Sequence, residues 1–381
     1  MQSLPNASDA GTVIVGMSGG VDSAVAALLL KEAGFAVQGL FMSNWEDDGY
    51  CTTAADFQDA RRVCDILDIP LHRADFAAEY RARVFAHFLR EYAAGRTPNP
   101  DVLCNREIKF GVCLTYMQRL GATWIATGHY ARLRRDGSAV HLLKALDPGK
   151  DQSYFLNQVD PAALAKTLFP IGHLRKDEVR RLAHTAGLPV FDKPDSTGIC
   201  FIGERPFEEF LGRYLRQAPG PIESAEGALL GEHRGLSRYT LGQRSGLRIG
   251  GRAGAAAAPW YVAGKDTERN ALIVVQNPDH PLLLSDSFEV ENVRWLGAPP
   301  SEALECAVKT RYRQSDLTCT VHRGAHVSLQ VPARAVTPGQ YAVFYRGDEC
   351  LGGGVIASRR NSSQQPVDAA PTLACAYNAD F

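Results

Sequence analysis

Between Thr12 and Thr127, short apolar runs alternate with longer stretches whose apolar residues recur at helical spacing. The runs Thr12–Val15, Ala36–Met42, Pro70–Phe76 and Ala122–Thr127 predict buried strands. The intervening Ser23–Ala33, Ala54–Leu67, Ala78–Tyr92 and Glu107–Leu120 predict helices. Asp22 is placed to cap the first helix and Gly34 to close it. Such alternation predicts an α/β domain with a parallel sheet, whose ligands bind beyond the carboxyl ends of the strands. Helical periodicity returns over Pro161–Ala186 and over Pro206–Leu215, then fades after Gln217. Trp260–Ala263 and Ala271–Val275 read as strands joined by a turn. Six short runs follow at regular spacing: Phe288–Val293, Cys306–Arg311, Leu317–His322, His326–Val331, Gln340–Tyr345 and Cys350–Ile356. They predict a small C-terminal β-barrel. The polar residues after Arg360 carry no pattern and are expected to form a disordered tail. These changes of character divide the chain at 1–204, 205–282, 283–360 and 361–381.

The first strand leads into a glycine-rich turn. Gly16, Met17 and Ser18 follow the apolar run, Gly19 and Gly20 make the turn, and Val21, Asp22 and Ser23 open the helix. Adjacent glycines let backbone N–H groups approach an anion, and the helix N-terminus adds unpaired N–H groups and a positive dipole end. That is chemistry for holding phosphate. The turn is not a Walker A loop, which needs Lys-Ser/Thr where Val21-Asp22 stands. An ordinary strand-to-helix turn also uses Gly and Ser.

Composition narrows the partners. The chain has 381 residues, 45% hydrophobic and 22% charged, with a net charge of -1. Any nucleic-acid contact must therefore use local basic patches. No apolar run approaches the roughly 20 residues of a membrane span. Met1–Gly11 matches neither a secretory signal nor an Arg-rich transit peptide, so a cytoplasmic location is expected. The nine cysteines include no Cys-x-x-Cys, which disfavours zinc and a secreted disulfide framework.

Two cysteines stand out. In Arg96-Thr-Pro-Asn-Pro-Asp-Val-Leu-Cys-Asn105, the two prolines predict an extended backbone and Asn105 a helix cap. Cys104 would then lie at a helix N-terminus beside Arg106 and Lys109, which favours thiolate, with Asp101 one turn away to exchange protons. Alternatively, Asp101 and Asn105 only cap and Cys104 only packs. Cys200 ends a second polar loop, in Ser196-Thr-Gly-Ile-Cys-Phe-Ile-Gly203.

The Ser-Gly-Gly-Val-Asp-Ser turn resembles the signature of the PP-loop ATP pyrophosphatases. Together with Arg96–Phe110, Ala126-Thr-Gly-His-Tyr130, Lys150-Asp-Gln-Ser-Tyr-Phe-Leu156, Ser196–Gly203 and Tyr239-Thr-Leu-Gly-Gln-Arg244, the ordered set resembles the tRNA-specific 2-thiouridylase family from about Thr12 to Arg360. The resemblance implies a PP-loop catalytic domain, a central tRNA-contacting domain and a C-terminal barrel. It implies that ATP, with Mg²⁺, adenylates O2 of the wobble uridine. Met42 and Gly128 join residues 16–23 at the nucleotide. Cys200 matches the cysteine that carries a persulfide received from a sulfur-relay protein fed by a cysteine desulfurase. Cys104 matches the nucleophile that attacks it, freeing sulfide or closing a Cys104–Cys200 disulfide, and Asp101 matches the acid/base. Asn99, Pro100 and Asp101 border the target base. Lys150, Asp151, Gln152, Arg311 and Tyr312 match tRNA-contacting positions, with tRNAs of the Lys, Glu and Gln type expected.

Arg234, Arg238, Arg244, Arg248 and Arg252 occur with no acidic residue among them, a basic strip suited to phosphates. The family's Lys-Gly-Leu-Gly after Gln-Arg is replaced here by Ser245-Gly-Leu-Arg248, which displaces the basic group. Two rival readings remain: a PP-loop amidotransferase or ligase, which has no use for paired reactive cysteines, and a non-catalytic RNA-binding protein.

Overall fold

The computed structural model describes residues 11–45, 53–195, 207–215, 218–249 and 258–361. Cys200, Arg252 and the tail after Asn361 lie outside them.

The strands of the first domain are β1 (Thr12–Met17), β2 (Ala36–Ser43), β3 (Leu71–Asp75) and β4 (Trp124–Thr127). A hairpin follows, β5 (Arg132–Asp136) and β6 (Ala139–Leu143), then the two-residue β7 (Thr167–Leu168). The sheet order is β3-β2-β1-β4-β7, parallel throughout. Strand order reverses direction at β1, so the crevice between the carboxyl ends of β1 and β4 is where such a sheet takes its ligand.

Helix α1 (Val21–Glu32) runs from the glycine turn and is apolar nearly all round. That pattern demands burial on every side, and α1 lies between the sheet and the later helix that opens at Lys176. Burial of each Val or Leu there contributes about 1.5–3 kcal/mol. Gly20, not Asp22, is the N-cap, and Asp22 falls in the first turn. Gly34 follows the helix at φ +86°, as a closing glycine should.

Helix α2 (Thr53–Ile66) precedes β3. Helix α3 spans 77–93, with a wide π turn at Arg81–Phe85. Helix α4 spans 100–119 and differs from expectation. It starts at Pro100, whose preset φ suits the first helical position. Asn99 is its N-cap, accepting from the Asp101 backbone N–H at 3.1 Å. Asn105 is therefore not a cap, and Cys104 lies more than a turn into the helix. Within α4, Cys104–Val112 has π geometry.

The long helix expected over Pro161–Ala186 is three elements. Helix α5 (Pro161–Ala165) ends before β7, and α6 (Lys176–Thr185) begins after a turn. Pro170 cannot continue a helix. At Gly172 a Cβ would stand 1.7 Å from the Ala131 carbonyl oxygen, so the chain is pressed against β5's approach. Helix α7 is Phe207–Tyr214.

The central domain holds β8 (Gly220–Ser224), β9 (Leu229–His233), β10 (Tyr261–Asp266) and β11 (Ala271–Val275), in the order β10-β11-β8-β9. The C-terminal strands are β12 (Leu284–Trp295), β13 (Leu304–Lys309), β14 (Leu317–Val321), β15 (His326–Arg334), β16 (Tyr341–Arg346) and β17 (Glu349–Arg360). Pairing of β12 with both β15 and β17 closes the barrel and removes its edges. The hairpin β5–β6 extends this sheet through β17, with Glu349 opposite Leu143 and Cys350 opposite Leu142. The first domain thus contributes strands to the barrel, a pairing between distant segments that the local pattern does not signal.

Candidate active site

The turn after β1 is organised by two serines. The Ser23 hydroxyl donates to the Gly20 carbonyl at 3.1 Å and accepts from the Ser18 N–H at 3.1 Å. Ser18 Oγ accepts from the Gly20 N–H at 3.3 Å. Gly19 has φ +74°, and a Cβ there would meet the Asp56 carbonyl oxygen at 2.3 Å. Gly128, just beyond β4, touches the same turn from the other side: its Cβ would lie 2.6 Å from Ser23 N. Gly16 pairs with Thr127, and a Cβ on Gly16 would stand 3.8 Å from Met42 Cε. The structure therefore gathers residues 16–23, Met42 and Gly128 at one crevice, with the N-terminus of a 12-residue helix aimed into it.

A charged cluster flanks this turn, in which Lys176, Arg180, Lys193 and Asp195 join the expected Asp22 and Lys150. Lys176 Nζ, in the first turn of α6, lies 2.7 Å and 2.9 Å from the two Asp22 carboxylate oxygens and 2.7 Å from Asp195. The Tyr130 hydroxyl donates to Asp22 at 2.8 Å. Lys150 and Arg180 also pair with Asp195. Burial works against the Asp195 carboxylate, but Lys150 and Lys176 hold its pKa below the usual range. Lys193 Nζ donates to the Gly19 carbonyl at 2.9 Å and pairs with Asp56 and Asp59, each at 2.7 Å. These residues lie far apart in sequence: Gly19 and Asp22 belong to the glycine turn, Tyr130 and Lys150 to two further motifs, and Lys176, Arg180 and Lys193 come from the segment around and beyond α6.

The second half of the site is the start of α4. Helices preceding a parallel strand run back along the sheet, so the N-terminus of α4 faces the same end as the turn after β1. Asp101 and Cys104, three residues apart, share one helix face. Cys104 is buried. Burial pushes the Asp101 carboxyl above its ordinary pKa, and the Lys109 ammonium only partly offsets this. Lys109 also acts on His129, whose ring burial holds well below its ordinary pKa and therefore neutral. His129 Nδ1 lies 2.7 Å from Thr127 Oγ1. Lys109 thus links the head of α4 to the end of β4. The π turn is accommodated at Gly111, where a Cβ would sit 2.9 Å from the Arg106 carbonyl oxygen. Wide turns of this kind are frequent at functional sites.

Distant segments hold this turn. Thr97 N–H donates to the Pro338 carbonyl at 3.1 Å, and Gln340 Nε2 donates to the Thr97 carbonyl at 2.7 Å. Lys265, from the central domain, donates to the Gly95 carbonyl at 2.9 Å. Buried Asn105 donates to the Phe155 carbonyl at 3.1 Å. The approach to Asn99–Cys104 is therefore set by the barrel and central domain as well as by its own helix.

Residues matched to RNA contact have protein partners here. Asp151 is buried and accepts from the N–H groups of Ala145 and Ser153. Gln152 Oε1 accepts from the Tyr130 N–H at 2.9 Å. Arg311 Nη2 donates to the carbonyls of Leu241 at 2.8 Å and Ala335 at 3.0 Å, joining the central domain to the barrel. Tyr312 packs 4.3 Å from the Phe155 ring, centroid to centroid. Arg234, Arg244 and Arg248 are exposed on the central domain.

Three family profiles match successive parts of the chain. The profile of a tRNA methyl transferase HUP domain matches residues 11–204, that of a tRNA methyl transferase PRC-barrel domain residues 208–276, and that of an aminomethyltransferase β-barrel domain residues 285–356. The chain is similar to proteins named tRNA-specific 2-thiouridylase MnmA. The relative from Chromohalobacter salexigens is 58% identical, covering 94% of this chain and 95% of its own length. That from Paracidovorax citrulli is 57% identical, with 91% and 96% covered. That from Nitrosomonas eutropha is 56% identical, with 90% and 98% covered. With identity of this order across all three domains, the chain belongs to the tRNA-specific 2-thiouridylase (MnmA) family.

Proposed function

We propose that this chain is an ATP-dependent tRNA uridine 2-sulfurtransferase. ATP lies in the crevice after β1 and β4, and O2 of the wobble uridine attacks its α-phosphate to release pyrophosphate. A persulfide on Cys200 then supplies sulfur. In one route its outer sulfur adds to C2 and AMP leaves. Cys104 thiolate next attacks the Cys200 sulfur, forming a Cys104–Cys200 disulfide and freeing 2-thiouridine. In the other, Cys104 attacks the persulfide first and releases sulfide, which displaces AMP. Either way the electron pair of the broken S–S bond stays with the sulfur that enters the base.

The observation that carries this reading is the head of α4. It sets a buried thiol and a carboxyl of raised pKa one turn apart, at the sheet end that holds the phosphate-binding turn. An acid that keeps its proton nearer neutral pH can hand it on and recover it. Asn99 and Pro100, which start the helix, border the base. Lys150, Asp151, Gln152, Arg311 and Tyr312 hold the surfaces that meet tRNA, Asp151 and Gln152 through the backbone they shape. A flipped pyrimidine needs such polar edges and stacking rings.

Mg²⁺ favours one or two carboxylates completed by phosphate oxygens. Asp22, with the Ser18 and Ser23 hydroxyls nearby, fits that donor set, and the ion would neutralise charge on the triphosphate. The sulfur donor is a relay protein that carries sulfur from a cysteine desulfurase, and the tRNAs are of the Lys, Glu and Gln type. A cytoplasmic site of action suits these partners.

The test is thiolation of tRNA with ATP, Mg²⁺ and a persulfide donor, comparing wild type with Cys104→Ser and Cys200→Ser. Loss of 2-thiouridine in both is expected. Full product formation in both variants would favour the amidotransferase or ligase reading.

A further inference from the structure

A second pair of cysteines lies in the barrel, apart from the site above. Cys306 on β13 stands directly opposite Cys319 on β14 in antiparallel register. Their sulfurs are 3.6 Å apart, and both are free thiols. Directly opposed residues of antiparallel strands have Cα atoms about 4.5–5.5 Å apart. That range lies within the roughly 4.4–6.8 Å a disulfide spans. The sulfurs need only close to about 2.0 Å, a side-chain adjustment that leaves the strand pairing in place.

We propose that Cys306 and Cys319 form a redox-active dithiol, a modification site that takes a low-molecular-weight disulfide as its oxidising partner. Cys306 is partly exposed and Cys319 is buried, so Cys306 is the first to react. Its environment favours thiolate: the Cys319 thiol donates to it and the Arg346 guanidinium adds positive charge, against the opposing effect of burial. Cys306 thiolate attacks one sulfur of the small disulfide, expels one thiolate and leaves a mixed disulfide. The Cys319 sulfur loses its proton and attacks the Cys306 sulfur, expelling the second small thiolate. Two protein thiols give up two electrons and two protons, and one small disulfide becomes two thiols.

The bond would have a defined mechanical effect. β13 and β14 frame the turn that carries Arg311 and Tyr312, and Arg311 ties the barrel to the central domain. A cross-link at Cys306–Cys319 restrains the base of that hairpin without touching Cys104.

The full-length protein, reduced and then equilibrated with glutathione disulfide, decides the point. Free thiols are alkylated in the folded state before trypsin treatment. Cleavage at Lys309, Arg311 and Arg313 separates peptide 295–309 from peptide 314–323. The expected result is one linked species, about 2 Da below the sum of the two peptides, reversed by dithiothreitol and absent from Cys306→Ser. The oxidised wild type is expected to melt at a higher temperature than the reduced protein. Recovery of both cysteines free, as separate glutathione adducts, or joined to other cysteines would overturn the assignment. The wild-type result alone is decisive if Cys306→Ser folds poorly.

Discussion

The turn after β1 and the head of α4 lie at the same end of the sheet but are held in different ways. The turn is bonded mainly within itself: Ser18, Gly20 and Ser23 satisfy one another over six residues. The head of α4 has a local cap at Asn99, but its approach is fixed by Pro338 and Gln340 from the barrel and Lys265 from the central domain. The lesson is about dependence. The proposed phosphate half is held within the first domain, whereas the approach to the proposed sulfur half is bonded to all three domains. On the proposed mechanism, this arrangement couples sulfur transfer to the surfaces that meet tRNA.

The comparison can be broken most sharply at Asp101. Asp101→Asn is expected to keep tRNA affinity and to lower thiolation by about 10²–10⁴-fold, the range usual for general acid–base groups. Unchanged thiolation would remove that role. The same variant should be more stable at neutral pH. A carboxyl whose folded pKa lies above its unfolded value, about 3.9, loses stability as pH rises from the unfolded to the folded value. Above that window the penalty is complete, and Asn does not incur it. A melting temperature for Asp101→Asn at or below wild type would contradict the burial argument.

Gly19→Ala attacks the other half. It forces a Cβ into the Asp56 backbone and strains a positive φ. Pyrophosphate release should fall to background and stability by about 1–3 kcal/mol, read by ATP turnover and denaturant melts. Lys176→Ala leaves Asp22 and Asp195 without their shared cation. It should raise the KM for ATP by about tenfold, about 1.4 kcal/mol, with tRNA affinity unchanged. An unaltered KM would make that cluster purely structural. Gln340→Ala is the mildest. Removing one hydrogen bond to Thr97 costs about 1 kcal/mol. Thiolation should drop several-fold while ATP binding stays at the wild-type level. Equal loss of both would erase the distinction between the halves.

Legibility in the sequence followed the same line. The glycine turn is a local motif, and the four principal strands of its sheet and the six barrel strands are local patterns that periodicity reveals. The head of α4 is hard to place because Pro98 and Pro100 look alike in sequence: one ends an extended segment, the other begins a helix. The single helix expected over Pro161–Ala186 overlooked Pro170 and the close approach at Gly172. The hairpin β5–β6 joins the barrel by pairing with β17, more than two hundred residues away, and no local pattern encodes such a partner. Lys176, Lys193 and Asp195 converge on the glycine turn only in three dimensions, and no local pattern signals that convergence. For Arg311 the residue was visible but not its bonds to Leu241 and Ala335.

The central claim is that adenylation and sulfur transfer meet on one tRNA base. Mass analysis of nucleosides tests it most directly, using tRNA treated with this protein, ATP, Mg²⁺ and a persulfide donor, with AMP and pyrophosphate measured alongside. The account predicts 2-thiouridine at the wobble position, with AMP and pyrophosphate released in equal amounts, all dependent on tRNA. AMP release from wild-type protein with no thiolated uridine in the tRNA would contradict it.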